Sequence, residues 1–164
     1  MKKNKEFHTV RGYQMLSSEN KKLTSSMEDY LEMIYRTCIK EGYIRVNQLA
    51  RKLNVRPSSA TKIVQKLSEL QLIIYQRYGI IQLTQEGKTI GEFLLKRHDI
   101  IQRFLKILGI EETLLKETEL IEHDVSSRTL QAIDLFNSFI DQNPDIKKQY
   151  EDFRATKQKQ SEKS

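Results

Sequence analysis

Cysteine is almost absent from this 164-residue chain, with Cys38 the single example. That excludes an internal disulfide and suits a reducing compartment. Long apolar runs are missing too. No stretch approaches the roughly 18 residues that a membrane-spanning helix needs. Met1-Lys2-Lys3-Asn4-Lys5 is not followed by the apolar segment that directs secretion. The expectation is a cytoplasmic protein with no membrane partner. Aromatic residues make up only 8% of the chain, against 38% hydrophobic and 30% charged. A folded core is within reach but a large one is not, which fits one compact domain or two small ones sharing a helix.

Acidic residues are missing from one region and crowded in another. Residues 44–83 hold seven Lys/Arg and one acid, Glu69, whereas residues 99–145 hold four Lys/Arg and ten Asp/Glu. The first segment suits a polyanion and the second suits cations, although either could also be a solvated face.

Residues 1–22 are polar, basic and without apolar periodicity, which predicts a flexible extension that adds non-specific DNA affinity; His8 within it reads as a tail histidine. Ser25-Ser26-Met27-Glu28 has the spacing of a capping box, with Ser25 as N-cap. The helix behind it carries an apolar stripe at Leu31, Ile34, Tyr35 and Cys38, which places the thiol in the core. Gly42 ends that helix. Val46 to Leu53 reads as a short helix, Asn54-Val55 as a tight turn, and Pro57 as the first residue of a third helix reaching about Leu70. Leu72–Tyr75 and Ile80–Leu83 read as two strands joined by Gln76-Arg77-Tyr78-Gly79, a hairpin with a basic, aromatic tip. Thr84 caps a long helix that runs to Leu108 before Gly109. Leu130, Ile133, Leu135, Phe136, Phe139 and Ile140 mark a further apolar helix that ends at Asn143-Pro144. So few helices leave much apolar surface uncovered, and a second copy of the chain is the simplest cover.

The predicted fold is mainly α. A winged helix-turn-helix with a small two-stranded wing (residues 23–84) is linked by the long helix to a helical metal-binding and dimerisation domain (85–145). A charged tail follows (146–164), read as a frayed helix that runs out in Lys157–Ser164.

Two kinds of chemistry can be read from these elements. The third helix presents Ser58, Ser59, Thr61, Lys62, Gln65 and Lys66 on its polar face, the donors and acceptors that readout of base edges in a major groove uses. Arg56, Lys62, Lys66 and Arg77 can neutralise phosphates, with Pro57 at the helix start and Tyr78 at the wing tip. The partner implied is double-stranded DNA. Separately, Glu119, Glu122 and His123 fall at i, i+3 and i+4, one face of a helix. Asp29 and Glu32 repeat the i, i+3 step upstream. His98 lies between these groups on an apolar face, where a core residue is the ordinary reading and a ligand the rarer one. Four carboxylates and two imidazoles without a thiolate suit Mn²⁺ or Fe²⁺ better than Cu(I) or structural zinc. Four carboxylates also exceed the charge of one divalent ion, so two ions per subunit are expected. A metal site joined to a DNA-reading element describes a metal-sensing transcriptional regulator.

Residues 23–142 resemble the diphtheria-toxin-repressor family of metal-dependent repressors, most closely its manganese transport regulators. The resemblance is carried by Ser26-Met27-Glu28-Asp29-Tyr30-Leu31-Glu32, Arg56-Pro57-Ser58-Ser59-Ala60-Thr61-Lys62, Val64-Gln65-Lys66-Leu67, Arg97-His98 and Ile121-Glu122-His123. It implies that Asp29, Glu32, His98, Glu119, Glu122 and His123 are metal ligands. It further implies a homodimer that binds palindromic operators when loaded with Mn²⁺ and represses manganese uptake genes, Fe²⁺, Co²⁺, Zn²⁺ or Cd²⁺ being able to compete. Iron-responsive relatives place Met and Cys where Asp29 and Glu119 stand. They also usually carry an extra SH3-like domain, for which the residues after Pro144 are too few. The extension at residues 1–22 departs from the family pattern.

Three other readings compete. A dinuclear hydrolase would need a nucleophile or base beyond the six ligands and a pocket for an organic substrate, and neither is evident, so no catalysis is expected. An iron-responsive repressor of the same family would differ only in its effector. A metal-independent winged-helix regulator would keep its DNA affinity in a Glu122→Gln variant.

Overall fold

The computed structural model describes residues 23–161. The expectations for residues 1–22, including His8, and for the last three residues lie outside them. The described residues divide into two compact units, one ending at Lys96 and one beginning at Arg97, with the boundary inside the long helix. Among the described residues no helix is long and apolar enough to cross a membrane.

The first unit opens with α1, Ser25–Glu41. Its N-cap is Thr24, whose hydroxyl accepts from the Met27 amide at 3.3 Å. The capping box expected on Ser25 is therefore displaced by one residue: the hydroxyl just before it has the extended backbone a cap requires, and Ser25 becomes the first helical residue. Leu31 and Ile34 are fully buried as the stripe predicts. Gly42 ends the helix at φ 82°, its amide bonded to the Cys38 carbonyl, the left-handed stop that glycine adopts without strain.

Helix α2, Val46–Lys52, is followed by Asn54 at φ 53°, which turns the chain into α3, Pro57–Glu69. Ala60, Val64 and Leu67 of α3 are buried. The wing has three strands, not two: β1 (Ile44–Arg45), β2 (Ile73–Tyr75) and β3 (Ile80–Leu83), in the order β1-β3-β2 and all antiparallel. Ile44 pairs with Ile81, and Ile73 with Leu83. Strand β1 is too short for its side chains to show a period of two, so nothing in the pattern announced it. Thr84 caps α4, Gln85–Leu108, as expected, its Oγ1 accepting from the Gly87 amide at 3.0 Å.

The second unit begins within α4 at Arg97 and continues through α5 (Leu114–Glu122), α6 (Ser127–Gln142) and α7 (Pro144–Ser161). Ile101, Leu105, Leu130 and Ile140 are buried in it. Phe104 and Phe136 meet edge to face with ring centroids 5.8 Å apart. Asn137 donates to the Ile100 carbonyl at 2.9 Å, tying α6 to α4. The charged stretch from Ile146, expected as a frayed helix, is a continuous one. Pro144 sits in its first turn, where a missing N–H costs nothing, and the Lys147 amide returns to the Asn143 carbonyl at 3.1 Å. Arg154 of α7 packs its guanidinium on Gly109, where a side chain would collide with it.

Candidate metal centre and nucleic-acid surface

In the first unit α3 buries one face and offers the other. Ser58, Ser59, Lys62, Gln65 and Lys66 are exposed, as are Arg56 and Pro57 at its start. Thr61 is half-buried and its hydroxyl donates to the Pro57 carbonyl at 2.9 Å. At the wing tip Arg77 is exposed and Tyr78 is 89% exposed. Tyr78 adopts φ 62° and ψ 21°, a left-handed conformation that a bulky residue rarely takes. The Arg45 guanidinium donates to the Tyr78 carbonyl at 3.1 Å and steadies that turn. All ten residues expected to meet DNA thus lie on α3 or the wing, and all but Thr61 are exposed.

Asp29 and Glu32 sit on α1, off the apolar stripe, and both are half-buried. Glu32 Oε1 accepts from Arg36 Nε at 2.9 Å and lies 2.6 Å from Nη2, an i, i+4 ion pair. Cys38 is not a donor of the same kind. Burial, reinforced by Glu41 and opposed by Lys88, raises its thiol pKa to about 11, and Sγ lies 3.8 Å from the Ile81 carbonyl. The sulfur stays protonated, but Cys38 is half-buried at the end of the stripe and not in the core where its spacing placed it.

The second unit brings His98, Glu122 and His123 together. Glu122 is 2% exposed and His98 6%. Nδ1 of His98 lies 2.9 Å from Oε2 of Glu122. His123, the cap residue that ends α5, places Nε2 3.9 Å from Oε1 of Glu122. A carboxylate in the last turn of a helix faces the negative end of the helix dipole, and burial adds a desolvation cost. Oxygen and imidazole donors in a buried setting without sulfur fit a divalent ion such as Mn²⁺ or Fe²⁺. Glu119 is exposed on α5. The buried edge of that helix passes through Thr118 and Glu122 at i and i+4, and Glu119 stands at its flank.

Arg97 is the residue that pattern reading passed over as chemistry. It is 3% exposed and its Nη2 lies 3.3 Å from Nδ1 of His123. Phe93 and Ile101, four residues to either side, are both buried. That spacing could have placed Arg97 on the inward face of α4.

Two family models match the chain: the iron dependent repressor N-terminal DNA binding domain over residues 22–81, and the iron dependent repressor metal binding and dimerisation domain over residues 84–151. The HTH-type transcriptional regulator MntR of Oceanobacillus iheyensis is 44% identical over 126 residues, covering 76% of this chain and 86% of that protein. MntR of Lysinibacillus sphaericus is 39% identical over 129 residues, covering 78% and 93%. Among solved structures, the manganese regulator SloR superposes with a TM-score of 0.62 at 27% identity, over 69% of this chain and 54% of that one. The chain therefore spans about half the length of that structure.

Proposed function

Because the chain belongs to the iron-dependent repressor family, we propose that it is a manganese-responsive transcriptional regulator. Loaded with Mn²⁺, its homodimer binds palindromic operators and represses manganese uptake genes. The observation that carries this reading is the buried Glu122–His98 pair beside His123, a donor set of hard oxygen and imidazole nitrogen in the metal-binding part of the chain. Two relatives named MntR and a structural neighbour named a manganese regulator support the choice of metal.

The proposed ligands are Asp29, Glu32, His98, Glu119, Glu122 and His123, shared by two ions per subunit. Carboxylates at 29 and 119 offer oxygen where a thioether or thiolate would favour softer ions. The bound ions supply the positive charge that lets several carboxylates stand together. Because Asp29 and Glu32 belong to the DNA-binding part and the other four do not, metal and operator affinities are coupled, by about 1–3 kcal/mol in typical cases. On the DNA side, the polar face of α3 reads bases, while Arg56, Lys62, Lys66 and Arg77 hold phosphates.

Fluorescence anisotropy on operator DNA at fixed salt, with chelator, Mn²⁺ or anaerobic Fe²⁺, tests the proposal. Constant salt is needed because phosphate contacts make affinity steeply salt-dependent. Tight binding with Mn²⁺ and not with chelator is the expected result. An equal response to Fe²⁺ would move the protein to the iron-responsive branch, and indifference to metal would leave a winged-helix DNA binder.

A further inference from the structure

The hydrogen bond between Arg97 and His123 fixes where the imidazole keeps its lone pair. A guanidinium carries N–H groups only and cannot accept. Nδ1 of His123, 3.3 Å from Arg97 Nη2, is therefore the acceptor, and the neutral ring holds its one proton on Nε2. Nε2 in turn faces Oε1 of Glu122 at 3.9 Å, a direction that suits an N–H. His98 has the opposite arrangement. Its Nδ1 faces the Glu122 carboxylate at 2.9 Å and carries the proton, leaving the lone pair on Nε2, where the Gln102 amide nitrogen lies at 3.4 Å.

We infer that Arg97 is an internal competitor for metal at His123, an inference that rests on the metal-centre reading above. A neutral imidazole has one lone pair. If His123 coordinates through Nδ1, the ion needs the lone pair that Arg97 occupies. If it coordinates through Nε2, the ring proton must move to Nδ1, where it would confront the guanidinium N–H groups. Along either route the Arg97–His123 hydrogen bond breaks before His123 becomes a ligand. The usual support for a ligating histidine is a carboxylate or carbonyl that accepts from its second nitrogen; Arg97 is the reverse of that. It stabilises the metal-free site, where its charge stands in for the ion, and it raises the metal concentration at which His123 engages.

Two measurements on the full-length protein test this. In the metal-free chain at about pH 8, where an ordinary imidazole is neutral, long-range ¹H–¹⁵N correlation should show His123 Nδ1 as pyridine-like and Nε2 as pyrrole-like. The other tautomer overturns the inference. Calorimetric titration with Mn²⁺ should then give a Kd about tenfold lower for Arg97→Met than for the unsubstituted protein, the loss of one charge-assisted hydrogen bond that no longer has to break. Arg97→Lys keeps the charge but not the fork of donors. It should also bind more tightly, which separates the hydrogen bond from simple charge repulsion and supplies a second variant if Arg97→Met does not fold. Unchanged or weaker binding in folded variants overturns the inference alone. An unsubstituted protein that binds no Mn²⁺ overturns the manganese reading and this inference with it.

Discussion

The two units of this chain solve the problem of burial in different ways. The first encloses aliphatic side chains, Leu31, Ile34, Leu49, Leu67 and Ile81 among them, and turns its cations outward on α3 and the wing. The second also encloses Arg97, His98, Glu122 and Asn137; both units leave large apolar side chains exposed, Ile39, Tyr43 and Ile74 in the first and Leu115, Leu120, Leu135 and Phe139 in the second. Among the described residues every buried charged side chain lies in the second unit. Burying charge is costly unless it is matched, and exposing large apolar side chains forgoes about 1.5–3 kcal/mol for each. The buried charges of the second unit fit the metal centre proposed above. The first presents its proposed DNA-binding residues on its surface. On the reading proposed above, the second acts through its interior.

The sharpest way to break the comparison is to damage each interior and ask whether metal matters. Leu31→Ala opens a cavity in a fully buried site of α1 and should cost about 2–5 kcal/mol of stability. Thermal or chemical unfolding should show that loss with and without Mn²⁺. A loss that Mn²⁺ abolished would mean that the first unit is not self-sufficient.

Glu122→Gln is the matching change in the second unit. It keeps the shape and removes the charge that the proposed centre depends on. DNA affinity in chelator should stay at the level of the unsubstituted protein, while the Mn²⁺-induced gain, about 5- to 150-fold for a coupling of this kind, should vanish. Retention of that gain would remove Glu122 from the ligand set.

The contrast between the units also governs what could be read without a structure. Gly42 at a left-handed stop, Pro57 in a first turn, Asn54 in a turn and Thr84 as a cap are local devices, and each was legible because its cause lies within a few residues. Strand β1 was not legible, because two residues become a strand only through their partner β3. Helix α7 was legible as a charged helix but not as a continuous one, because its composition is so polar that it shows little apolar stripe. At the candidate centre, residue type and spacing brought out Glu122 and His123, whereas His98 read as a core residue until the family resemblance set it among the ligands. The spacing rule treated Glu119 as their equal, although α5 buries Glu122 and exposes Glu119. Arg97 was invisible as chemistry because its meaning comes from His123, 26 positions away and on another element.

A smaller effect is expected from Lys62→Ala on the exposed face of α3. If Lys62 meets a phosphate, operator and non-specific affinity should fall together, and the slope of log K against log salt should lessen by about one. Stability should stay within about 0.5 kcal/mol, as for ordinary surface substitutions. A loss confined to one base position of the operator would instead assign Lys62 to base readout.

The smallest effect concerns Cys38 and shows how the first unit treats a titratable group: it keeps it neutral. The thiol pKa, raised to about 11 from 9.0 chiefly by burial, means that the folded chain holds this proton after the unfolded chain has lost it. Stability rises with pH wherever the unfolded state binds more protons. Here the unfolded state binds fewer between about pH 9 and 11, so this contribution is complete below pH 9 and declines across that window. The melting temperature of the unsubstituted protein should therefore drop more steeply from pH 9 to 11 than that of Cys38→Ala. Alkylation by iodoacetamide should be slow at neutral pH and accelerate as pH approaches 11, because the thiolate is the nucleophile. Rapid alkylation of the folded chain at neutral pH would show that this half-buried thiol is already ionised there, contrary to its raised pKa.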